Sequence, residues 1–221
     1  MGSEDERAAW LRLTLIPGIG GDAQRALLRS FAGPANVFSA TRAELARIVD
    51  RPRADLLLSY DASASIDAAL AWASEEGSHL VMLGDPRYPA ALLQTHDPPT
   101  LLYVRGRPEL LCRPAFAIVG SRNATAAGRE NAERFARALS EAGFTIVSGL
   151  ALGIDAAAHR GALAGAGSTA AVIGTGADRV YPAANQGLAR RIAQDGAMVS
   201  EFALGTPARP GHFPRRNRII A

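Results

Sequence analysis

The feature that most constrains the fold is a change of pattern near residue 79. From there on, short apolar runs of strand length alternate with alanine-rich stretches of helical period, over about 125–142, 154–165 and 185–194. The runs read HLVML, TLLYV, AFAIV, FTIVS, STAAVI and AMVSEF. Strands that alternate with helices at this spacing predict an α/β protein of Rossmann-like architecture, with a mainly parallel sheet covered on both faces.

The first part of the chain has a different, helical pattern. The segments EDERAAWLRLTL, DAQRALLRSF and SATRAELARIV are amphipathic, and the glycine-rich turn IPGIGG separates the first two. Such a turn is typical of helix-hairpin-helix and sterile-alpha-motif modules, and equally of any tight turn between packed helices. We therefore expect a small all-helical domain over 1–62 and a Rossmann-like domain over 63–221.

Four glycine-rich loops follow the predicted strands. They read GSRNAT, SGLALGID, GTGADRVYPAAN and SEFALG, and each precedes a helix or a turn. The carboxyl ends of parallel strands lie at one edge of a sheet, and free amides at helix starts favour anions, so these loops predict a phosphate-binding crevice. The candidate residues there are Gly120, Ser121, Arg122, Ser148, Gly149, Gly174 and Gly176. Of these, Arg122 is expected to bind phosphate through a bidentate hydrogen bond, although a structural ion pair would also explain an arginine at this position.

Composition and motifs exclude several other classes of protein. All 24 basic residues are arginine, set against 21 acids, so the net charge of +3 is small and an anionic partner must be held by local clusters. Without lysine there is no Walker motif and no Schiff base. The loops lack the dinucleotide fingerprint, Cys112 is the only cysteine, and the histidines lack ligand spacing, so we expect no cofactor and no metal. We also expect a cytoplasmic protein with no membrane partner.

Three titratable residues in the loops leave two interpretations open. Asp155 and His159 are four residues apart on one predicted helix face, and Glu201 ends the last strand. They are explained by a helix-start carboxylate and a locally bonded histidine, or by an acid/base pair of Asp155 with Glu201. The second interpretation would make the protein an enzyme of the nucleotide N-glycosidase type. A purely structural or partner-docking protein is a further alternative.

The chain ends on the basic segment FPRRNRIIA. Because Pro214 disfavours helix at the residue before it, we expect this segment to begin in extended backbone. Arg215, Arg216 and Arg218 are either a solvated basic turn or a docking surface for an anion. Three arginines this close would repel one another unless an anion lay between them, and a strand of phosphates would supply that anion. Phe213 and Tyr181 are candidates for base stacking or for core packing.

Four motifs in order resemble the DNA-processing protein A (DprA/Smf) family of bacteria. They are AIVGSRNATAAGRENA, FTIVSGLALGIDAAAHRGAL, TAAVIGTGADRVYPAAN and FPRRNRIIA, and the resemblance covers roughly 80–221. It implies an extended Rossmann fold that binds and shields single-stranded DNA without catalysis. It further implies delivery of that DNA to the recombinase RecA in natural transformation.

The resemblance also assigns residues and partners. It places the DNA pocket at Gly120, Ser121 and Arg122 and at the basic segment. That segment contributes Phe213, Arg215, Arg216, Asn217 and Arg218. A homodimer is a family property, but members continue beyond this segment. We therefore expect the second domain to be incomplete at its carboxyl end, with the dimer contacts largely in the part that follows.

Overall fold

The computed structural model describes residues 4–221 and begins with six helices. They are α1 (Glu4–Leu15), α2 (Gly21–Phe31), α3 (Pro34–Ser39), α4 (Arg42–Leu45), α5 (Arg51–Ser59) and α6 (Ser63–Ala73). Helices α1 to α5 enclose an apolar core of their own, since Leu13, Leu27, Val37, Leu45 and Leu57 are fully buried together. We call these five helices the helical module.

A six-stranded sheet follows the helices. Its strands are β1 (Ser78–Met82), β2 (Leu101–Gly106), β3 (Ala115–Ala117), β4 (Thr145–Ser148), β5 (Thr169–Val172) and β6 (Ala197–Ser200). Their spatial order is β1-β2-β6-β5-β4-β3, and β3 to β6 are mutually parallel. All six apolar runs therefore form strands, and the mainly parallel Rossmann-like sheet predicted from the sequence is confirmed.

The edge formed by β1 and β2 is antiparallel, because β2 pairs antiparallel with both β1 and β6. The connection between β1 and β2 contains only a short 3-10 turn (Ala90–Gln94). A parallel pair needs a crossover that returns the chain to the opposite end of the sheet, usually through a helix. Without such a helix these two strands run in opposite directions.

The helices that connect the parallel strands cover one face of the sheet. These are α7 (Ala126–Glu141), α8 (Ile154–Ala162) and α9 (Gln186–Asp195), in the positions the sequence predicted. They pack on Ile146, Ala171 and Met198, while α1 and α6 cover the same face of β1 and β2. The helical module is thus joined to the sheet through a shared apolar surface.

The opposite face is covered by α10 (His212–Ile220) and by two 3-10 turns, Ala90–Gln94 and Pro108–Cys112. Ile219 and Ile220 of α10 pack on Val172 and Val199, which point to this side because side chains alternate along a strand. Within residues 4–221, no helix combines the length and the apolar character needed to cross a lipid bilayer.

Candidate functional site

The loops that follow the parallel strands meet at one edge of the sheet, as predicted. The Ser148 hydroxyl at the end of β4 donates to the carbonyl oxygen of Ile118 beyond β3, at 2.6 Å. The Ser200 hydroxyl at the end of β6 donates to the carbonyl oxygen of Thr175 beyond β5, also at 2.6 Å. The loop ends are therefore tied together in two neighbouring pairs, and we call the edge of the sheet that they share the crevice and the loops around it the rim.

Arg122 lies on this rim on a loop that α8 holds in place. The N–H of Ile154, at the start of α8, donates to the carbonyl oxygen of Ser121 at 3.2 Å. Gly153 permits this approach, since its φ is +79° and a Cβ there would collide with the Ser121 carbonyl. The Arg122 side chain is exposed, has no hydrogen-bond or carboxylate partner in the described part of the chain, and lies over the Phe213 ring at 5.8 Å. It is thus available to an anion.

The extended start predicted for the basic segment is wrong, because α10 begins at His212. Pro214 falls in the first turn, where a backbone N–H has no intrahelical partner and proline is tolerated. The His212 ring stacks on Phe202 at 4.3 Å and donates from Nδ1 to the carbonyl oxygen of Gly174 at 3.1 Å. These tertiary contacts fix the start of the helix and override the local preference of the residue before a proline.

Phe213 is half-buried at the centre of the crevice. A Cβ on Gly174 would lie 3.0 Å from a carbon of the Phe213 ring, so the absence of a side chain there makes room for the ring. The exposed Tyr181 ring lies 5.6 Å from it, centroid to centroid. Phe213 therefore packs on the protein through one side and adjoins Tyr181 and Arg122 on the surface.

The three arginines of α10 have different environments, and Arg216 is the buried one. Its Nη1 donates to the carbonyl oxygens of Gly149, at 2.8 Å, and of Val172. Burial lowers the pKa of Arg216; the Asp155 carboxylate opposes this shift, and the charge of Arg122 adds to it. Arg216 thus ties α10 to the ends of β4 and β5, and its guanidinium lies beside the Asp155 carboxylate.

Arg218 and Arg215 share the carboxylate of Glu201. Arg218 donates to both carboxylate oxygens at 2.6 Å each, and Arg215 lies 3.2 Å from one of them. Burial disfavours the charge of Arg218, but its bonds to Glu201 and the nearby Asp97 raise its pKa overall. The sequence predicts a phosphate between these arginines, but in the structure the Glu201 carboxylate is the anion that lies between Arg215 and Arg218. Arg215 is half-exposed, and Asn217 beside it is exposed.

The ion pairs continue from α10 into the helical module. Asp97, in the connection between β1 and β2, lies 3.3 Å from Arg218 and accepts a 2.6 Å hydrogen bond from Arg25 of α2. Burial raises the pKa of Asp97, but the two arginines outweigh it and lower that pKa overall. A continuous chain of charges therefore connects the crevice to the helical module.

Most of the remaining predicted residues are buried beneath the crevice and are not exposed on it. Ser148, Gly149, Gly174 and Gly176 are buried, and the Ser148 hydroxyl already has an acceptor. Gly176 donates its N–H to Thr206 in the neighbouring loop at 3.0 Å. By contrast, Gly120 and Ser121 are exposed beside Arg122.

The carboxylates of the acid/base interpretation are both engaged. Asp155 is buried and accepts from the amides of Gly149 and Ala151, at 3.2 and 3.3 Å, next to the Arg216 guanidinium. Glu201 is held by two arginines. His159 is fully buried, and burial lowers its pKa to about 3, so it is a neutral ring that bonds Leu150 and Thr169. Each residue thus has a structural role.

Within residues 4–221, no cluster of His, Cys, Asp or Glu could hold a metal ion.

Sequence reasoning did not identify several residues that build the crevice. Asn185 donates its side-chain amide to the carbonyl oxygens of Leu150 and Ala151, at 2.9 and 3.2 Å, and so joins the loops after β4 and β5. Asp97 and Arg25 anchor α10 from outside the sheet. Asn185 is the first residue of a predicted helix and could have been noticed there. Asp97 lies in the stretch HDPPT, which has no period or motif.

Comparison with known proteins gives a consistent result. A family model described as DNA recombination-mediator protein A matches residues 79–221. The Smf proteins of Synechocystis and Escherichia coli are 33% and 35% identical over 99% and 96% of the chain. The chain spans 56% of the length of each of them.

Two solved structures resemble the fold. DNA processing protein A from Streptococcus pneumoniae superposes with a TM-score of 0.79 at 32% identity, over 100% of this chain and 75% of that one. DNA processing protein A from Helicobacter pylori, described through its single-stranded DNA binding mode, superposes with a TM-score of 0.58 at 34% identity. That match covers 64% of each chain.

Proposed function

Because the chain belongs to the DNA recombination-mediator protein A family, we propose that it binds single-stranded DNA in the crevice and acts as a non-catalytic recombination mediator. The relative from Helicobacter pylori is described through its single-stranded DNA binding mode, and its structure superposes on 64% of this chain. In this proposal the protein acts in the cytoplasm, shields the incoming strand and delivers it to RecA.

The distribution of charge carries the proposal. The rim segments 119–125, 148–155, 173–185 and 200–218 contain six arginines and three acids. Their excess of three positive charges equals the net charge of the whole chain, +3. Two of the three acids, Asp155 and Glu201, lie against arginines of α10. The exposed part of the rim is therefore basic, as a polyanion requires.

The arrangement of Arg122, Phe213 and Tyr181 suits a single strand. An exposed guanidinium beside two neighbouring aromatic rings can bind a phosphate while unpaired bases stack on the rings. A duplex keeps its bases stacked on one another, so it could use only the phosphate contacts. No sequence preference is expected, because stacking and phosphate contacts do not read base edges.

The binding test compares Arg122→Ala with Arg134→Ala. Both residues are exposed arginines, so the two variants change the net charge equally, but Arg134 lies on α7 away from the rim. By fluorescence anisotropy on labelled oligothymidine, we expect Arg122→Ala to lose about tenfold in affinity, or about 1.4 kcal/mol. The slope of log affinity against log salt should fall by about 0.7, the value for one single-strand phosphate contact.

Arg134→Ala and the wild-type protein should bind alike, and a duplex of equal length should bind more weakly than the single strand. Equal losses in the two variants would show that only net charge matters. Equal binding of duplex and single strand would contradict the proposed site.

The mediator role and the enzymatic alternative have their own tests. If the protein delivers the strand to RecA, it should increase DNA-dependent ATP hydrolysis by RecA on single strands coated with a competing binding protein. The Arg122→Ala variant should fail in that assay. Incubation with nucleoside monophosphates should release no free base, because Asp155 and Glu201 are held by amides and arginines. Release of base that disappears in Glu201→Gln would favour the N-glycosidase.

A further inference from the structure

Two loops beside the crevice are joined into one rigid ledge, which we define as residues 178–181 and 205–209. The N–H of Gly176 donates to the carbonyl oxygen of Thr206, at 3.0 Å. The N–H of Gly205 donates to both carboxylate oxygens of Asp178, at 2.8 and 3.0 Å. A side chain at Gly176 would press against Ala203 and Gly205, so the two backbones lie in direct contact.

Further bonds hold the first loop in a fixed shape. The Thr175 hydroxyl donates to the carbonyl oxygen of Arg179 at 2.7 Å, and the N–H of Arg179 donates to the carbonyl oxygen of Gly176 at 2.9 Å. Asn185 anchors the far end of the loop to Leu150. The backbone of Arg179 is thus fixed on both sides, while its side chain is exposed.

The ledge presents two arginines without side-chain partners. Arg179 and Arg209 are exposed, and neither has an ion pair or a side-chain hydrogen bond within residues 4–221. Arg179 lies three residues after Gly176, and Arg209 lies three residues after Thr206, so the joined backbones bring both to one ledge. Within residues 178–181 and 205–209 the one acid is Asp178, whose carboxylate accepts from the Gly205 amide and offsets one of the two positive charges. The ledge therefore carries a net charge of +1.

Tyr181 connects the ledge to the crevice. It follows Arg179 by two residues, its ring is half-exposed, and it lies 5.6 Å from Phe213. Tyr181 therefore adjoins Phe213 of the crevice and belongs to the same loop as Arg179 of the ledge.

We propose that the ledge is a second subsite, in which Arg179 and Arg209 bind the phosphodiester backbone of nucleotides beyond those held at Arg122 and Phe213. The inference rests on the proposed function and extends it, because it predicts that the binding site is longer than the crevice. Tyr181 would supply a base-stacking surface between the two subsites.

The test measures affinity against oligonucleotide length. Oligothymidines of increasing length are titrated into the wild-type protein, Arg179→Ala, Arg209→Ala and the double variant, with Arg137→Ala of α7 as the charge-matched control. Alanine preserves the backbone bonds of the ledge, and thermal unfolding by circular dichroism confirms equal stability. On the shortest oligonucleotide that the wild-type protein binds, we expect all variants to bind within about twofold of it.

On longer strands the double variant should lose at least about tenfold in affinity, and its salt slope should fall by about 1.4, two single-strand contacts. Arg179→Lys combined with Arg209→Lys should restore most of the slope, since both substitutions keep the charge. Equal losses at every length would overturn a separate subsite, and no loss at any length would show two solvated arginines. If the wild-type protein binds no single strand at all, the proposed function fails together with the subsite. If the double variant loses more affinity for duplex than for single strands, the assignment of the ledge to single-stranded DNA is overturned.

Discussion

Replacement of Glu201 by glutamine should destabilise the fold, because Glu201 is the buried carboxylate that holds α10. Its side chain is 4% exposed and that of Arg218 is 11% exposed. The substitution keeps the shape of the side chain but removes its charge. It also replaces one of the two acceptor oxygens by an amide that cannot accept from the guanidinium.

The expected loss in the free energy of unfolding is about 3 kcal/mol. Removing one partner of a buried ion pair costs roughly 3–5 kcal/mol, because an uncompensated charge stays behind. The loss should lie at the lower end of that range, since Asp97 still lies 3.3 Å from Arg218 and glutamine retains one acceptor. A second change should recover part of the loss: with Arg218→Met added, no buried cation remains without its partner.

Urea unfolding followed by circular dichroism measures the effect, with Glu133→Gln as the control. Glu133 pairs with Arg160 at 3.5 Å, and both side chains are 42% exposed, so its loss should stay below about 1 kcal/mol. Comparable losses in the two single variants would refute the reasoning. So would strict additivity in the double variant, since residues in contact are expected to couple.

Two further predictions concern the rim and the interior. Gly153→Ala should lower the free energy of unfolding by about 2 kcal/mol and weaken DNA binding, because the φ of Gly153 is +79° and the added Cβ would collide with the Ser121 carbonyl. The control is Gly187→Ala in α9, where open space surrounds the glycine. It should leave stability unchanged or raise it in the same assays. His159 has its pKa lowered to about 3 by burial, so its neutral form contributes stability that is fully present above pH 6.5 and is lost as the pH falls toward 3. His159→Gln should reduce the slope of stability against pH in that window, by at most about 1.4 kcal/mol per pH unit; an unchanged slope would show that His159 titrates normally.

The sequence was sufficient for the sheet and for the location of the crevice. Runs such as TIVS and AMVS form strands because they are apolar, β-branched in part and bounded by turn residues, all of which are local properties. Glycine-rich loops after parallel strands must meet at one edge, so Gly120 and Gly174 could be placed together without coordinates.

The sequence could not assign the start of α10 or distinguish its arginines. Pro214 predicts extended backbone before it, yet the stacking of His212 on Phe202 fixes a helix there. Nothing in the sequence distinguishes Arg215, Arg216 and Arg218 from one another. Because they lie on a helix, Arg216 faces the sheet and the other two face Glu201.

What the sequence by itself determined was therefore the set of local structures and the edge of the sheet where they converge. Only the tertiary structure decided which arginines are available to an anion. Arg218 bonds to Asp97, which lies 121 residues earlier, and Asp97 bonds to Arg25, a further 72 residues away. Burial and ion pairing are long-range properties, set by which distant residues the fold brings into contact. Within residues 4–221 they leave Arg122, Arg179 and Arg209 exposed and without a charged partner, while Arg216 is buried and Arg218 is largely buried against Glu201.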